Sequence, residues 1–265
     1  MAARAIWKGV VKLGKAEVPV KLYSAVTDKS IHFRLLHKTD LEPVRQQMIN
    51  AETEEPVAWE EIRKAFPITR SSLVVLDKEE LDEILPEASR DIEVTRFVDP
   101  EDIDHRWYDR AYYLGPDQSS EHYFALAEAL EKKKKEGVAQ WVMRGKNYIG
   151  ALRADDGYLM LIVLRHADEV IDAESLGAPQ GRALDKRELA MAEQLIDALS
   201  GEFKADEFKD EYRERVLELV KMKAKGRKPK VVKFRPKTTK EESLDKVLAA
   251  SLAGVGKKRA AGGSR

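Results

Sequence analysis

The sequence predicts a mainly β fold with inserted helices, followed by helices and a basic C-terminal segment. The first 165 residues contain short stretches that alternate apolar and polar residues and are rich in Val, Ile and aromatic residues. After Gly181 the apolar residues recur every three or four positions, which is typical of helices. From Lys221 onward the composition is mainly Lys, Arg, Pro, Ala and Gly, which predicts a disordered tail.

Eight short strands are predicted in the β-rich part. In the second of them Val18, Val20 and Leu22 share one face. Asp155-Asp156-Gly157 separates the last two strands with residues that tolerate positive φ, which predicts a hairpin. This number of short strands predicts a barrel or a sandwich. The predicted strands are Ala5–Leu13, Val18–Ala25, Ile31–Leu36, Leu73–Leu76, Ile92–Val98, Val138–Arg144, Asn147–Arg153 and Tyr158–Arg165.

Two helices are predicted between these strands. Asp77 and Glu80 have the spacing of a capping box, which opens a helix from Lys78 to Leu85 before Pro86 stops it. The second helix begins at Ser119 or Ser120 and ends in four lysines, residues 132–135, before Gly137. Lysines at a helix C-terminus either complement the helix dipole as solvated side chains or contact a phosphate.

Two further helices are predicted after Gly181. Asp185 and Glu188 form a second capping box, and Gly201 ends this helix. The apolar stripes of the two helices need a surface to cover them, either the β-rich part or a second subunit. The stripe of the first helix consists of Leu189, Ala192, Leu195, Ile196 and Leu199, and that of the second of Phe208, Tyr212, Val216, Leu219 and Val220.

Charge is segregated along the chain, although the 47 basic and 47 acidic residues balance. Ten Lys or Arg and no acidic residue lie between Lys221 and Lys240. The last 45 residues contain 15 basic and 3 acidic residues, a net charge of +12, which leaves residues 1–220 with 32 basic and 44 acidic residues, a net charge of −12. A basic tail on an acidic body predicts a tethered segment that binds a polyanion.

One apolar island interrupts the tail at residues 241–254. Its apolar residues have helical spacing, but an isolated helix of about 14 residues is marginal in water. The island is therefore either a docking peptide for a partner protein or a transient helix without one. The apolar residues of the island are Leu244, Val247, Leu248 and Leu252.

Several classes of function are not supported by the sequence. The chain contains no cysteine, which excludes disulfides, thiolate metal sites and cysteine nucleophiles and favours a reducing compartment. The five histidines are dispersed without a local pair, and no phosphate-binding glycine motif or nucleophile motif occurs. We therefore expect no catalytic residues, metal, cofactor or small-molecule ligand. The absence of a long apolar run predicts no membrane contact and a location in the cytoplasm, on the nucleoid if the protein is prokaryotic.

The four tryptophans, Trp7, Trp59, Trp107 and Trp141, are scattered and do not cluster on one strand. Proteins that bind single strands present stacking aromatic residues interleaved with basic ones. We interpret Trp141 as a core residue, and the charge pattern favours contacts with the backbone of a duplex over reading of its bases.

Several segments together resemble the prokaryotic Ku proteins, the homodimeric factors that bind DNA ends in non-homologous end joining. Their order and spacing extend over almost all of residues 4–200. The segments are Arg4-Ala5-Ile6-Trp7-Lys8-Gly9, Val18-Pro19-Val20-Lys21-Leu22-Tyr23-Ser24-Ala25, Phe33-Arg34-Leu35-Leu36-His37, Arg144-Gly145-Lys146-Asn147-Tyr148 with Ala151-Leu152-Arg153, Leu164-Arg165-His166-Ala167-Asp168-Glu169-Val170, and Glu188-Leu189-Ala190 through Gln194-Leu195-Ile196.

The resemblance implies a Ku-type β-barrel core with a DNA-encircling bridge in residues 1–180, a helical arm in 181–222 and a flexible tail in 223–265. Two copies would form a ring around a broken DNA end. The expected DNA-binding residues of the bridge are Arg34, Lys38, Arg45, Arg63, Lys64 and Arg70, and those of the tail are Lys221, Lys223, Lys225, Arg227, Lys228 and Lys230. The island at Leu244, Val247, Leu248 and Leu252 resembles the short element that recruits the partner enzyme, the ATP-dependent DNA ligase D.

Two other functions are compatible with the sequence. A nucleoid-associated architectural protein would bind DNA through its basic tail without preferring ends. An enzyme of unknown type is the third hypothesis, although no motif supports it.

Overall fold

The computed structural model describes residues 4–70, 72–118, 120–177, 186–226, 248, 249 and 251. The chain divides into two compact units, residues 1–175 and 176–265. Within the described part, the first unit contains all the strands and two helices. The strands are β1 (Trp7–Leu13), β2 (Ala16–Ser24), β3 (Lys64–Thr69), β4 (Ser72–Leu76), β5 (Asp91–Val98), β6 (Tyr108–Pro116), β7 (Glu136–Met143), β8 (Lys146–Asp155) and β9 (Tyr158–Leu164), and the helices are α1 (Lys78–Glu83) and α2 (Ser120–Lys133).

Seven of these strands form a closed barrel in the order β1-β2-β6-β9-β8-β7-β5. All neighbours are antiparallel except β1 and β5, whose parallel pairing places Val11 opposite Ile92 and closes the barrel. Closure removes the free strand edges that an open sheet would expose. The prediction of a barrel or sandwich with inserted helices is confirmed as a barrel.

Two tight hairpin turns set the register of three consecutive barrel strands. Arg144 and Gly145 connect β7 to β8, and Asp156 and Gly157 connect β8 to β9, each with positive φ. Two-residue turns with positive φ at both positions match the twist of the flanking strands. The hairpin that the sequence predicted at Asp155-Asp156-Gly157 is therefore confirmed.

The barrel interior is filled by alternate residues of each strand. Val18, Val20 and Leu22 of β2 are buried, as predicted from their spacing. Trp141 is only 3% exposed and belongs to the same apolar cluster, which confirms it as a core residue. Its ring requires a glycine at position 150, because a Cβ there would lie 2.7 Å from both the Trp141 ring and the Ile162 carbonyl oxygen.

Helix α2 packs on the barrel and contacts β2, β8 and β9. Its buried Tyr123 donates a hydrogen bond to the Leu114 carbonyl oxygen at 2.6 Å and accepts one from the Leu159 amide at 2.8 Å. Because Leu114 and Leu159 are opposite each other in the β6–β9 pair, one hydroxyl group ties the helix to two strands. Burial raises the pKa of Tyr123 above its usual value.

Strands β3 and β4 form a separate antiparallel sheet outside the barrel. The sequence predicted β4 but missed β3, because Pro67 removes one backbone donor and is tolerated only in an edge strand. It also missed β6, whose Asp, Arg, Gly and Pro residues hide the alternation, although pairing with both β2 and β9 stabilises it.

The predicted strand Ile31–Leu36 is wrong. This segment pairs with no other strand, and only Leu36 forms an isolated bridge, to Pro43. Its alternating pattern instead leaves Phe33 and Leu35 exposed, each at about two thirds of its surface.

The second unit contains α3 (Lys186–Leu199) and α4 (Glu211–Ala224). Both confirm the predicted helices, although Phe208, predicted in the stripe of the second helix, lies before α4 and ends the short 3-10 turn Ala205–Glu207 in an extended conformation. The Asp210 carboxylate caps α4 by accepting a hydrogen bond from the Arg213 amide at 2.9 Å. Asp185, the predicted cap of α3, lies outside the described residues. The apolar stripes are largely uncovered in the single chain, since Ile196, Phe208 and Tyr212 are all exposed.

Candidate nucleic-acid interface

The segment that connects β2 to β5, residues 25–90, lies outside the barrel and has almost no core of its own. None of its described residues is buried, whereas every barrel strand contains buried residues. All six cations predicted for the bridge lie in this segment and are exposed. They are Arg34, Lys38, Arg45, Arg63, Lys64 and Arg70.

The first half of this segment contains two copies of one local structure, a loop closed by an isolated β-bridge. Leu36 bridges Pro43, and Ile49 bridges Pro56, with the same number of residues between the partners. Each loop ends in Glu-Pro-Val, at residues 42–44 and 55–57. In each turn a side-chain oxygen accepts a hydrogen bond from a backbone amide, which stabilises the turn. The Asp40 carboxylate accepts one from the Glu42 amide at 3.0 Å, and the Asn50 side-chain oxygen accepts one from the Glu52 amide at 2.9 Å.

Three of the predicted cations lie in or next to the first of these two loops, on a chain without strand pairing. Lys38 lies in the first turn, and Arg34 and Arg45 lie on either side of it. Among the described residues, none of the three forms an ion pair. Their charges are therefore available for an external anion such as phosphate.

The second half of the segment contains the β3–β4 hairpin and α1. Arg63 precedes β3, Lys64 begins it, and Arg70 lies in its turn. The Arg63 guanidinium is 3.8 Å from the Asp77 carboxylate, and both side chains are exposed. Such a pair contributes little, because solvent screens it. The capping box predicted for α1 is present, with the Asp77 amide donating to the Glu80 carboxylate at 2.9 Å.

The same segment exposes many large apolar side chains. Both faces of the β3–β4 hairpin are open, and an isolated two-stranded sheet is marginally stable in water. Large apolar side chains exposed in such number indicate an interaction site in a soluble protein. The exposed apolar residues include Phe33, Leu35, Leu41, Met48, Ile49, Trp59, Phe66, Ile68, Leu73 and Val75.

Three lysines on the barrel surface are different, because they are paired with carboxylates. Lys8 and Lys21 lie 2.9 and 2.8 Å from the two oxygens of Asp117. The hydrogen bond to Asp117 raises the pKa of Lys21, and the hydrogen bonds from Lys21 and Lys8 lower the pKa of Asp117. Lys12 lies 2.7 Å from Asp91. These lysines therefore add little positive potential to the barrel.

One of the helix-end lysines predicted to be either solvated or in contact with phosphate forms a fourth such pair. Lys135 lies 2.7 Å from Asp99, so at least this lysine is compensated within the chain.

A buried carboxylate lies on the side of the barrel near the start of β7. Glu136 is only 1% exposed; it accepts a hydrogen bond from the Tyr108 hydroxyl at 2.9 Å and lies 3.5 Å from the Arg153 guanidinium. Burial and the bond to Glu136 raise the pKa of Tyr108 to about 12. This cluster joins β6, β7 and β8, so we interpret it as structural.

The predicted tail cations are only partly described. Lys221, Lys223 and Lys225 lie at the C-terminal end of α4 and are exposed, where they complement the helix dipole. Arg227, Lys228 and Lys230 lie outside the described residues.

The predicted ligase-docking residues are also only partly described. Leu248 is in a helical position and is 8% exposed, whereas Leu244, Val247 and Leu252 lie outside the described residues.

Among the described residues, no group of three or more His, Asp or Glu side chains is arranged to hold a metal ion. In the same part of the chain, no helix has both the length and the apolar character needed to cross a membrane.

The comparison with known families agrees with the barrel and with the segments quoted above. The family model of the Ku70/Ku80 beta-barrel domain matches residues 12–192, which include nearly all of the barrel and the first part of α3. The chain therefore belongs to the Ku family.

Three relatives match over most of their length. The chain is 39% identical over 250 residues to the non-homologous end joining protein Ku 2 of Geotalea uraniireducens, covering 94% of this chain and 96% of that protein. It is 36% identical over 253 residues to the protein Ku of Anaeromyxobacter sp. (strain K), covering 95% of this chain and 86% of that protein. It is 34% identical over 254 residues to the protein Ku of Archaeoglobus fulgidus, covering 95% and 99%.

Proposed function

We propose that the protein is a non-enzymatic, homodimeric ring that binds the ends of double-stranded DNA without sequence preference and recruits a DNA ligase for non-homologous end joining. The observation that carries this proposal is the match, over nearly the full length, to proteins named for non-homologous end joining. The exposed cations of residues 25–90 support it, because all of those described except Arg63 lack an ion-pair partner among the described residues, and phosphate contacts give affinity without reading sequence.

The homodimer is supported by the apolar surface of the same segment. Large side chains such as Phe33 and Phe66 are exposed in the single chain, and those of α3 and α4 remain open as well. A second copy would cover this surface and supply the second half of a ring. The body has a net charge of −12, but a summed charge does not determine the potential on one concave surface. The bridge cations would line the opening, with the acidic residues facing outward.

In a closed ring, preference for DNA ends follows from topology. A ring can load only where the duplex stops, so end specificity needs no base contacts. The basic tail, residues 221–240, would add affinity and salt dependence. The island at residues 241–254 would bind the ATP-dependent DNA ligase D, and the bound protein would be associated with the nucleoid.

The test compares the affinity of the full-length protein for linear DNA with its affinity for covalently closed circular DNA of the same sequence. We expect binding to the linear form and much weaker binding to the closed circle. Equal affinity would refute the end-binding ring and would support an architectural DNA-binding protein.

Light scattering with and without a short blunt duplex provides the second measurement. We expect two protomers free in solution and two protomers per duplex end. The double variant Phe33→Asp and Phe66→Asp should be monomeric if the apolar segment forms the subunit interface. A wild-type protein that is monomeric under both conditions contradicts the ring.

A further inference from the structure

A pocket of about 610 Å³ lies between the β3–β4 hairpin, α1 and the turn before β3. Its volume is within the roughly 300–1,000 Å³ typical of sites for small ligands. Its wall combines a large aromatic ring, aliphatic side chains and charged groups of both signs. The lining residues are Trp59, Glu60, Ile62, Arg63, Lys64, Leu76, Lys78, Leu81 and Asp82.

The most unusual member of this pocket is Trp59, which is 76% exposed. Trp141, in contrast, is a buried residue of the barrel core. Neither the described hydrogen bonds nor the described ring contacts use the Trp59 indole. An indole left open to solvent offers a flat π face for a ligand.

Three cations line the same pocket as this indole. Arg63 and Lys64 come from the start of the hairpin, and Lys78 is the first residue of α1. An aromatic ring next to cations is the combination by which proteins hold unpaired nucleotides, with the base stacked on the ring and the phosphates on the cations. Two carboxylates, Glu60 and Asp82, complete the wall and can accept hydrogen bonds from amino groups of bases.

We propose that this pocket binds an unpaired base of a single-stranded overhang at the DNA end. The Trp59 indole stacks on the base, and Arg63, Lys64 and Lys78 contact the neighbouring phosphates. The site rests on the proposed function in that the duplex must be held nearby, and it adds a second class of substrate, the overhang. Stacking itself is tolerant of sequence because every base has a π face, so any base preference of the site comes from Glu60 and Asp82.

A second copy of the chain is the other possible occupant of this surface, and the pocket's composition favours the nucleotide. Five of its nine lining residues are charged, whereas the central part of a subunit interface is depleted of charged residues. The exposed apolar side chains elsewhere in the segment, including Phe33 and Leu35, are better suited to the subunit contact.

The experiment measures the affinity of full-length protein for a blunt duplex and for the same duplex with a five-nucleotide 3′ or 5′ overhang. We expect the overhang to bind more tightly, by roughly tenfold, since one stacked base contributes about 5- to 150-fold. Trp59→Ala should remove this difference, and Trp59→Phe should keep part of it. Tyr158→Ala, which removes another exposed aromatic ring from the first unit, is the matched control and should keep the full difference.

A 2-aminopurine base placed in the overhang reports stacking directly, because its fluorescence falls when it stacks on an indole. We expect quenching by the wild type and by Tyr158→Ala, and none by Trp59→Ala.

The outcomes separate this site from the proposed function. Binding of blunt and overhang duplexes with equal affinity by the wild type would overturn the pocket and leave end binding intact. A monomeric Trp59→Ala protein, detected by light scattering, would instead assign the pocket to the subunit interface. Failure of the wild type to prefer linear over circular DNA would refute the proposed function itself.

Discussion

Replacing Arg34, Lys38, Arg45 and Arg63 with alanine should flatten the salt dependence of DNA-end binding. All four side chains are exposed, and among the described residues only Arg63 has a carboxylate within ion-pair distance, at 3.8 Å. Each phosphate contact contributes about 0.9 to the slope of log K against log salt concentration. Loss of the three uncompensated cations should therefore reduce the slope by about 2.7 per subunit, or about 5 for a dimer.

A matched control is available on the first unit. The variant Lys8→Ala, Lys12→Ala, Lys21→Ala and Lys135→Ala removes the same net charge, but each of these lysines already pairs with an acid at 2.7 to 2.9 Å. Because these ammonium groups are compensated within the chain, the slope should change by less than about 1.

The assay is fluorescence anisotropy with a labelled blunt duplex between about 50 and 200 mM salt, the range over which phosphate contacts change affinity most visibly. Circular dichroism and light scattering must show that both variants keep the fold and oligomeric state of the wild type. Equal slopes for the two variants would refute the assignment of the DNA interface to residues 25–90.

Three further predictions concern stability and the tail. Tyr123→Phe should lower the free energy of unfolding by about 1–3 kcal/mol, because it leaves two buried backbone groups unpaired. Urea titrations at fixed protein concentration measure this change. The control Tyr158→Phe, at an exposed site, should leave the free energy of unfolding unchanged. Tyr108 has a folded-state pKa of about 12, above its ordinary value of 10.0, so it contributes stability below pH 10 that is lost as the pH rises to 12. Between pH 10 and 12 the free energy of unfolding of Tyr108→Phe should therefore fall less than that of the wild type. If the two proteins lost stability in parallel over this range, the raised pKa of Tyr108 would be contradicted. Deleting residues 241–265 should abolish stimulation of the partner ligase in a ligation assay while end binding persists, and retained stimulation would refute the docking island.

Local patterns were sufficient to predict most of the barrel. Turn residues at Asp156-Gly157, the buried alternation of Val18, Val20 and Leu22, and the capping box before α1 each depend on neighbours in sequence. Such features follow from backbone and side-chain preferences that act over a few residues. β6 was missed because its stability comes from two partner strands that are distant in the chain.

The candidate site was predicted only as a set of charges. Arg63 and Lys64 are predicted from their place in the bridge, whereas their position in one pocket with Trp59 and Lys78 is visible only in the folded chain. An aromatic residue within five positions of two cations was the available signal. Its significance depends on exposure, which a sequence does not state.

The order of the residues by itself determined the succession of strands, helices and basic tail, and the family, because these follow from local periodicity and from the segments resembling Ku. Only the tertiary structure decided which cations are free and which are neutralised, since Lys21 and Asp117 are far apart in sequence yet lie 2.8 Å apart. It also decided that Trp141 is enclosed in the barrel while Trp59 faces solvent beside three cations. Burial and pairing depend on contacts between distant segments, and those contacts exist only after the chain has folded.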